Sequence, residues 1–230
     1  YAGPTGYWLR RAYIPGSRPP DPVTLSDAAR IARALRCFHD ALAGQDLPVA
    51  AQALVDPWSQ SDRAADAEAV ARLAPPPLGP GSVLDYGWLE ARRLEVAQVR
   101  PGGDEVGRRI IHRDPRPANC VFAFGGGALF VDYDTIGVGR TSDDLAELLR
   151  ALILESHAVP TFTLSEFAHL AQAVLIEYGL QPGQVEHLLR QTAEHAELLG
   201  HHFLSDFILG RNSFREAYPG ENLSLVRANI

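Results

Sequence analysis

The amino-acid sequence predicts an α+β fold, mostly helical, with a small β-hairpin that carries polar side chains at one end. Apolar residues recur at helical spacing after residue 25 and again from residue 142 towards the C-terminus. Two short apolar runs, 120–124 and 128–131, are separated by three glycines, which is typical of a hairpin. With 230 residues, 46% of them hydrophobic, the chain can bury one substantial core.

The first helix is predicted to start at Ser26, whose hydroxyl can cap it, and to end near Gly44. Its apolar face repeats at spacings of three and four and consists of Ala28, Ile31, Leu35, Phe38 and Leu42. His39 falls beside that face, so we predict a packed core histidine at this position.

A second well-marked helix is predicted to begin with Ser142 as its cap, and Asp143 and Asp144 in its first turn suit the helix dipole. Its inward face would hold Leu145, Leu148, Leu149 and Leu152. Further helices are predicted over 61–74, 82–99, 163–179 and 183–199, and from His201 to about Tyr218. The glycines Gly137 and Gly139 are predicted to give turn flexibility before Ser142.

The charge balance and the cysteine count restrict the class of protein. The formal net charge of −7 argues against nucleic-acid binding and permits a cationic partner. Six acids stand against one base between residues 40 and 70, a balance that favours a solubilising surface over a cation-binding wall. Two cysteines, Cys37 and Cys120, are too few for a disulfide framework and favour a reduced, cytoplasmic setting. No apolar run reaches the roughly 18 residues that predict a membrane span.

Two residue types are missing from the sequence. There is no Met, so a chain that opens at Tyr1 is interpreted as a fragment or as lacking its start. There is no Lys, because all 21 basic residues are Arg. The strand lysine that holds nucleotide phosphates in kinases therefore cannot come from these residues, and no Gly-rich phosphate loop precedes residue 110.

A constellation of polar residues brackets the predicted hairpin. His112, Arg113 and Asp114 precede it, Asn119 lies five residues after Asp114, and Asp132 follows thirteen residues later. Asn119 should lie just before one strand and Asp132 near the end of its partner, so pairing would bring them together. Phosphoryl transfer needs a carboxylate that accepts the attacking hydroxyl's proton, and an amide and a second carboxylate that hold Mg²⁺.

The spacing reproduces the kinase catalytic-loop pattern H-R-D-x-x-x-x-N with an Asp on the next strand. The simpler alternative is a turn rich in Asp, Pro and Asn that only caps a hairpin. The strand context and the downstream Asp132 favour the phosphotransfer interpretation.

Residues 112–119 and 132–145 resemble the aminoglycoside phosphotransferase and choline-kinase-like branch of the kinase superfamily. That branch reads H-G-D-x-H-x-x-N, then I-D-[FW]-x-x-x-x-x-G, then D-L-A, and this chain has Asp144-Leu145-Ala146 in the last place. Two positions depart from the pattern, because Arg113 replaces the usual Gly and Arg116 replaces the usual His.

The resemblance implies a kinase-like large lobe over residues 21–230, with the catalytic loop at 110–134 and most of the small lobe absent from this chain. Residues 1–20 would be the end of the small lobe and the hinge, with a strand over Tyr7–Tyr13. An ordinary edge strand remains the alternative there. Asp144 would brace the catalytic loop.

The resemblance also implies an ATP- or GTP-dependent phosphotransferase acting on a hydroxyl of an aminoglycoside-like antibiotic or another small metabolite, with antibiotic resistance as one role. In that case Asp114 is the catalytic base, His112 holds the loop, Asn119 and Asp132 ligate Mg²⁺, and Arg116 meets the γ-phosphate. Asp134 is either a second metal-site group or a turn cap. The rival hypotheses are a kinase-like binding module without catalysis and, favoured only by Arg113, a protein-kinase large lobe.

Overall fold

The computed structural model describes residues 2–3, 6–7, 23–45, 109–123, 126–156 and 163–209, which form four α-helices and three antiparallel strand pairs. The helices are α1 (Leu25–Ala41), α2 (Thr141–Ser156), α3 (Leu164–Tyr178) and α4 (Pro182–Leu209). The strands are β1 (Ala2–Gly3), β2 (Gly6–Tyr7), β3 (Arg109–Ile111), β4 (Cys120–Phe122), β5 (Ala128–Phe130) and β6 (Gly137–Gly139). The pairs are β1 with β2, β3 with β6, and β4 with β5.

Several predicted elements fall where nothing is described. The helices predicted over 61–74 and 82–99 lie outside the described residues, as do the end of the predicted tail helix and all but the first residue of the strand predicted over Tyr7–Tyr13. Within the described residues, no helix is long and apolar enough to cross a membrane.

Helix α1 begins two residues earlier than predicted from Ser26. Its cap is Thr24, whose hydroxyl accepts the backbone N–H of Asp27 at 3.2 Å, while the Asp27 carboxylate accepts the N–H of Thr24 at 3.1 Å. This reciprocal pair satisfies two backbone donors at once and leaves Ser26 inside the first turn. The predicted cap was therefore wrong, because Thr24 and Asp27 have the spacing of a capping box.

Helix α2 likewise begins at Thr141, two residues before the start that a cap at Ser142 predicts, so this predicted cap was also wrong. The carboxylate of Asp143 accepts the backbone N–H of Arg140 at 3.0 Å and closes the first turn from inside the helix. The predicted inward face is confirmed, because its four leucines are all at most 2% exposed.

Helix α4 is one continuous helix where the sequence predicts two segments that meet near His201. Gly200 lies within it, and a single helical glycine costs only about 1 kcal/mol relative to alanine. The neighbouring Leu199 and Phe203 are buried, so packing outweighs that cost.

The hydrophobic core lies between α1, α2, α3, the first turns of α4 and the β4–β5 hairpin. It contains Ala28, Ile31, Ala32, Leu35, Cys120, Phe122, Phe130, Leu145, Ala146, Leu148, Leu149, Leu152, Leu170, Ala171, Val174 and Leu188. Burial raises the pKa of the Cys120 thiol to about 12, so this residue packs as a small apolar side chain. Cys120 and Phe130, which pair at the base of the hairpin, fix it in this core.

The glycines Gly137 and Gly139 lie in strand β6 and not in a turn, contrary to the prediction. Gly137 pairs with Ile111 and Gly139 with Arg109. A Cβ at Gly139 would come within 2.3 Å of the Ile111 Cδ1 atom. The glycines are needed because the side chains of Ile111 and Arg113 lie directly across this strand.

Candidate active site

The β4–β5 hairpin positions two of the predicted site residues. Cys120 pairs with Phe130, and the ladder extends by one bond, from the N–H of Val131 to the carbonyl of Asn119 at 2.9 Å. Asn119 therefore lies directly before β4, and Asp132 is the next residue after the partner of Asn119. The predicted hairpin is confirmed, and it brings the backbones at 119 and 131 together.

Asp114 and Asn119 are in direct contact. The Asn119 amide nitrogen donates to the Asp114 carboxylate Oδ2 at 2.7 Å and to the Asp114 backbone carbonyl at 3.0 Å. Asn119 is buried, and its 3₁₀ turn Pro117–Asn119 leads straight into β4. With both contacts made through nitrogen, the amide oxygen of Asn119 is the atom of that side chain available to a cation.

The Asp114 carboxyl lies in a partly desolvated site with charges of both signs around it. Burial raises its pKa above the ordinary aspartate value, and the negative charge of Glu147 acts in the same direction. The Arg116 guanidinium, with Nε 3.3 Å from Oδ1, and the Asn119 amide oppose that rise. Such a carboxylate is a stronger base than a solvated aspartate, as proton abstraction requires.

His112 is fully buried and neutral. Its Nδ1 accepts the backbone N–H of Asp114 at 3.3 Å, and its Nε2 lies 3.2 Å from the Val131 carbonyl, to which it must donate. Desolvation lowers the pKa of this imidazole. His112 therefore touches both the segment of Asp114 and the segment of Asp132, which suits the loop-holding role that the resemblance implied.

A second bond also joins those two segments. The Thr135 hydroxyl donates to the His112 carbonyl at 2.8 Å. Thr135 belongs to the 3₁₀ turn Tyr133–Thr135, which contains Asp134 as an exposed residue. Asp132 itself is exposed and has left-handed backbone geometry, with φ of 64°. Thr135 was not predicted as a site residue, because no local pattern distinguishes it from any other turn threonine.

Asp144 is fully buried and holds the backbone of the predicted catalytic loop. One carboxylate oxygen accepts the N–H of His112 at 2.8 Å, and the other accepts the N–H of Arg113 at 2.7 Å. Arg113 has left-handed backbone geometry, with φ of 69°, which a non-glycine residue adopts only at an energetic cost. Asp144 thus lies where the resemblance implied that it would brace the loop.

Arg113 folds back across strand β6, and its guanidinium donates to the Val138 carbonyl at 3.1 Å. The positive φ explains why the related pattern carries Gly at this place. Arg116, in contrast, is exposed at the rim of the site, with 47% of its side chain accessible beside Asp114. A guanidinium in that position can reach a phosphate oxygen.

Glu147, one turn after Asp144, is a buried acid that the sequence analysis did not single out. It accepts from Arg150 and, at 2.9 Å, pairs with His195 of α4. Burial alone would raise the pKa of Glu147, but Arg150 and His195 outweigh it and hold that pKa at about 2. The residue stays anionic and contributes the negative charge that Asp114 experiences.

We expect Gly137→Ala to reduce stability by about 1–3 kcal/mol, the usual range for overpacking. An added Cβ would lie 2.3 Å from the Arg113 Cζ, so the guanidinium must leave its place on β6. Urea unfolding of the natural full-length protein would measure the change. Gly183→Ala is the matched control, because a Cβ at Gly183 meets nothing within 4 Å. Equal stabilities of Gly137→Ala and the wild type would contradict this account of Arg113.

Comparison with known proteins identifies what this arrangement resembles. The family model described as "Phosphotransferase enzyme family" matches residues 7–188. No curated protein matches the sequence. A solved choline/ethanolamine kinase family protein from Mesorhizobium loti is similar, with TM-score 0.59 and 17% identity over 100% of this chain and 71% of that one.

Two further solved structures have the same fold. Amicoumacin kinase hAmiN, in complex with AMP-PNP, Ca²⁺ and Ami, has TM-score 0.55 and 14% identity over 94% of this chain and 61% of its own. Plasmodium vivax ethanolamine kinase has TM-score 0.54 and 13% identity over 96% of this chain and 63% of its own. The predicted fold class is confirmed as kinase-like, mostly helical with small two-stranded sheets. The chain spans less than two thirds of the length of the last two structures.

Proposed function

Because the chain belongs to the phosphotransferase enzyme family, we propose that it transfers the γ-phosphoryl group of ATP or GTP to a hydroxyl group of a small molecule. The observation that carries the proposal is the Asp114 carboxylate, partly desolvated and held by the Asn119 amide at 2.7 Å. The Val131 N–H donates to the carbonyl of Asn119, so the backbone just before Asp132 is bonded to the residue whose amide contacts Asp114. The same motif positions carry the phosphotransfer chemistry in the related pattern.

The proposed reaction begins with an acceptor hydroxyl that donates a hydrogen bond to Asp114. As its oxygen attacks the γ-phosphorus, the hydroxyl proton passes to the carboxylate, and the bond from that phosphorus to the β–γ bridging oxygen breaks. The products are a phosphate ester and the nucleoside diphosphate. Arg116, at the rim beside Asp114, would bind an oxygen of the transferred phosphoryl group.

Asn119 and Asp132 are the residues that would hold Mg²⁺. They fit this ion, because an amide oxygen and an exposed carboxylate are hard-oxygen ligands and the Asn119 nitrogen is already engaged by Asp114. When bound, the ion would neutralise charge on the β- and γ-phosphates. Asp134 remains in the proposal either as a further metal-site group or as part of the turn after Asp132.

The acceptor we propose is an aminoglycoside-like antibiotic or another small metabolite, with a cationic group favoured by the net charge of −7. The names of the similar structures, which include kinases of ethanolamine and amicoumacin, support a small-molecule acceptor. A role in antibiotic resistance and a cytoplasmic location belong to the same proposal. The experiment is to incubate the natural full-length protein with Mg-ATP or Mg-GTP and a panel of amino alcohols and aminoglycosides, and to detect the phosphate ester by mass spectrometry.

The alternative is a kinase-like binding module without catalysis, and the absence of Lys from these 230 residues is what favours it. The same panel distinguishes the two functions. Nucleotide or acceptor binding in calorimetry without any phosphate ester would support the module. An ester formed at a rate proportional to protein concentration would support the enzyme.

We expect Asp132→Ala to weaken Mg²⁺-dependent nucleotide binding far more than metal-free binding. The carboxylate is the only anionic group in the proposed ligand pair, and its loss leaves one neutral oxygen for the ion. Titration of the full-length protein with nucleotide, in Mg²⁺ and in EDTA, would measure both affinities. The same titration of Asp134→Ala measures how much the neighbouring exposed carboxylate contributes to Mg²⁺-dependent binding. An equal loss with and without Mg²⁺ would remove Asp132 from the metal site.

A further inference from the structure

We propose that His39 and Tyr178 are positioning residues of the phosphotransfer site and act on the catalytic loop through Asp144. The inference rests on the proposed function for its activity readout, but its physical content is a hydrogen-bonded chain through the protein interior. That chain runs from α3 through α1 to α2 and ends at the backbone of the loop that carries Asp114.

The chain ends at a carboxylate oxygen that two groups share. His39 Nε2 lies 2.8 Å from the Asp144 Oδ2 atom, and the backbone N–H of His112 donates to the same Oδ2 at 2.8 Å. His39 is 1% exposed and Asp144 is not exposed at all. Because no solvent can replace a lost donor at this depth, the direction of the carboxylate depends on His39.

Tyr178 fixes which nitrogen of His39 carries the proton. Both oxygens of Asp144 accept backbone N–H groups, so His39 Nε2 is the donor in its contact with Oδ2. His39 Nδ1 lies 2.7 Å from the Tyr178 hydroxyl, and in the neutral ring that nitrogen is an acceptor. The hydroxyl then donates to Nδ1 and holds the tautomer that Asp144 needs.

The other carboxylate oxygen of Asp144 shows why the orientation of this side chain matters. Its Oδ1 atom holds the N–H of Arg113, whose φ of 69° persists only while the surroundings fix it. Asp114 is the next residue along the chain. A rotation of the Asp144 carboxylate would release this backbone and move Asp114 relative to the acceptor, and small displacements of a catalytic group cost large factors in rate.

A histidine that served only to fill space would act differently from a positioning residue. Loss of packing lowers the stability of the whole domain and leaves turnover by the folded molecules unchanged. Loss of the Asp144 contact lowers kcat in molecules that remain folded, with little change in nucleotide KM. The two roles are therefore separable by kinetics at a temperature well below the unfolding midpoint.

The test uses the natural full-length protein with His39→Leu, His39→Gln and Tyr178→Phe. We expect His39→Leu to lower kcat about tenfold with nucleotide KM within about twofold. His39→Gln should recover most of that loss, because its amide nitrogen can donate to Asp144. Tyr178→Phe should give an intermediate loss, since it removes only control of the tautomer.

The matched control is Arg33→Gln. Arg33 and Glu177 join the same two helices, α1 and α3, through a surface ion pair at 2.8 Å that makes no contact with Asp144. We expect its kcat to equal that of the wild type within about twofold, as for most exposed pairs. Wild-type kcat in His39→Leu and Tyr178→Phe, with only their unfolding midpoints lowered, would overturn the proposal. If His39→Leu does not fold, His39→Gln and Tyr178→Phe decide the outcome.

Hydrogen exchange keeps this inference separate from the proposed function. In His39→Leu and Tyr178→Phe, the amide hydrogens of His112 and Arg113 should exchange faster than in the wild type and in Arg33→Gln. This holds whether or not an acceptor is ever phosphorylated. Unchanged exchange would overturn the link from His39 to the loop, while faster exchange in a protein without turnover would leave the link standing and remove the proposed enzyme.

Discussion

Replacement of Asp114 by Asn is expected to lower kcat by roughly 10²–10⁴, the usual contribution of a general base. Asparagine preserves the volume of the side chain, and its oxygen can still accept from the Asn119 amide, which now lies 2.7 Å from the carboxylate. The loop should therefore keep its shape, and nucleotide affinity should remain close to that of the wild type. What the variant lacks is the group that takes the proton from the attacking hydroxyl.

The measurement is phosphate transfer by the full-length protein beside a nucleotide titration. Asp143→Asn is a matched control, because it makes the same chemical change at a residue whose carboxylate contacts Arg140 and not the loop. Near-wild-type kcat in Asp114→Asn would remove Asp114 from the role of base.

The pH dependence of the wild type gives an independent check on the same residue. The base must be ionised to act, and burial is the main cause that raises the pKa of Asp114. Activity should therefore fall on acidification at a pH above the ordinary aspartate range, and this limb should be absent from the residual activity of Asp114→Asn. An acid limb that is unchanged in the variant would assign it to another group.

The parts of the fold that were predictable are those specified by neighbouring residues. Three consecutive glycines between two apolar runs predict the hairpin, and the hairpin alone fixes where Asn119 and Asp132 lie relative to each other. The leucine spacing of α2 predicts its buried face for the same reason. Both signals fit within about 20 residues of chain, the range over which periodicity and turn chemistry are informative.

Long-range pairing determined what the sequence could not show. Gly137 and Gly139 look like turn residues until β6 is paired with β3. Their partners are Ile111 and Arg109, 26 and 30 residues earlier in the chain, and no local pattern specifies these ladder bonds. His39 looks like any core histidine until Asp144, 105 residues away, is placed against it. The capping errors at Ser26 and Ser142 have another cause, because several cap-competent residues lie side by side.

Removal of the Asp144 carboxylate should have the largest effect on stability, and we expect Asp144→Ala to cost about 3–5 kcal/mol. Three donors converge on this carboxylate at 2.7–2.8 Å: the backbone N–H groups of His112 and Arg113 and the His39 ring. In the alanine variant all three donors are left in the interior without this acceptor. Arg113 also loses the contact that stabilises its left-handed backbone.

Urea unfolding of the full-length protein would measure this loss, with Asp143→Ala as the control. Asp143 is the preceding residue, but it is partly exposed and contacts only the first turn of α2 and the Arg140 side chain, so its removal should cost about 0.5–2 kcal/mol, as for a lost helix cap. Asp144→Asn should fall between the two, because one oxygen still accepts while the new amide nitrogen faces a backbone donor. If Asp144→Ala is no less stable than Asp143→Ala, Asp144 does not anchor the catalytic loop, and the link from His39 to Asp114 fails with it.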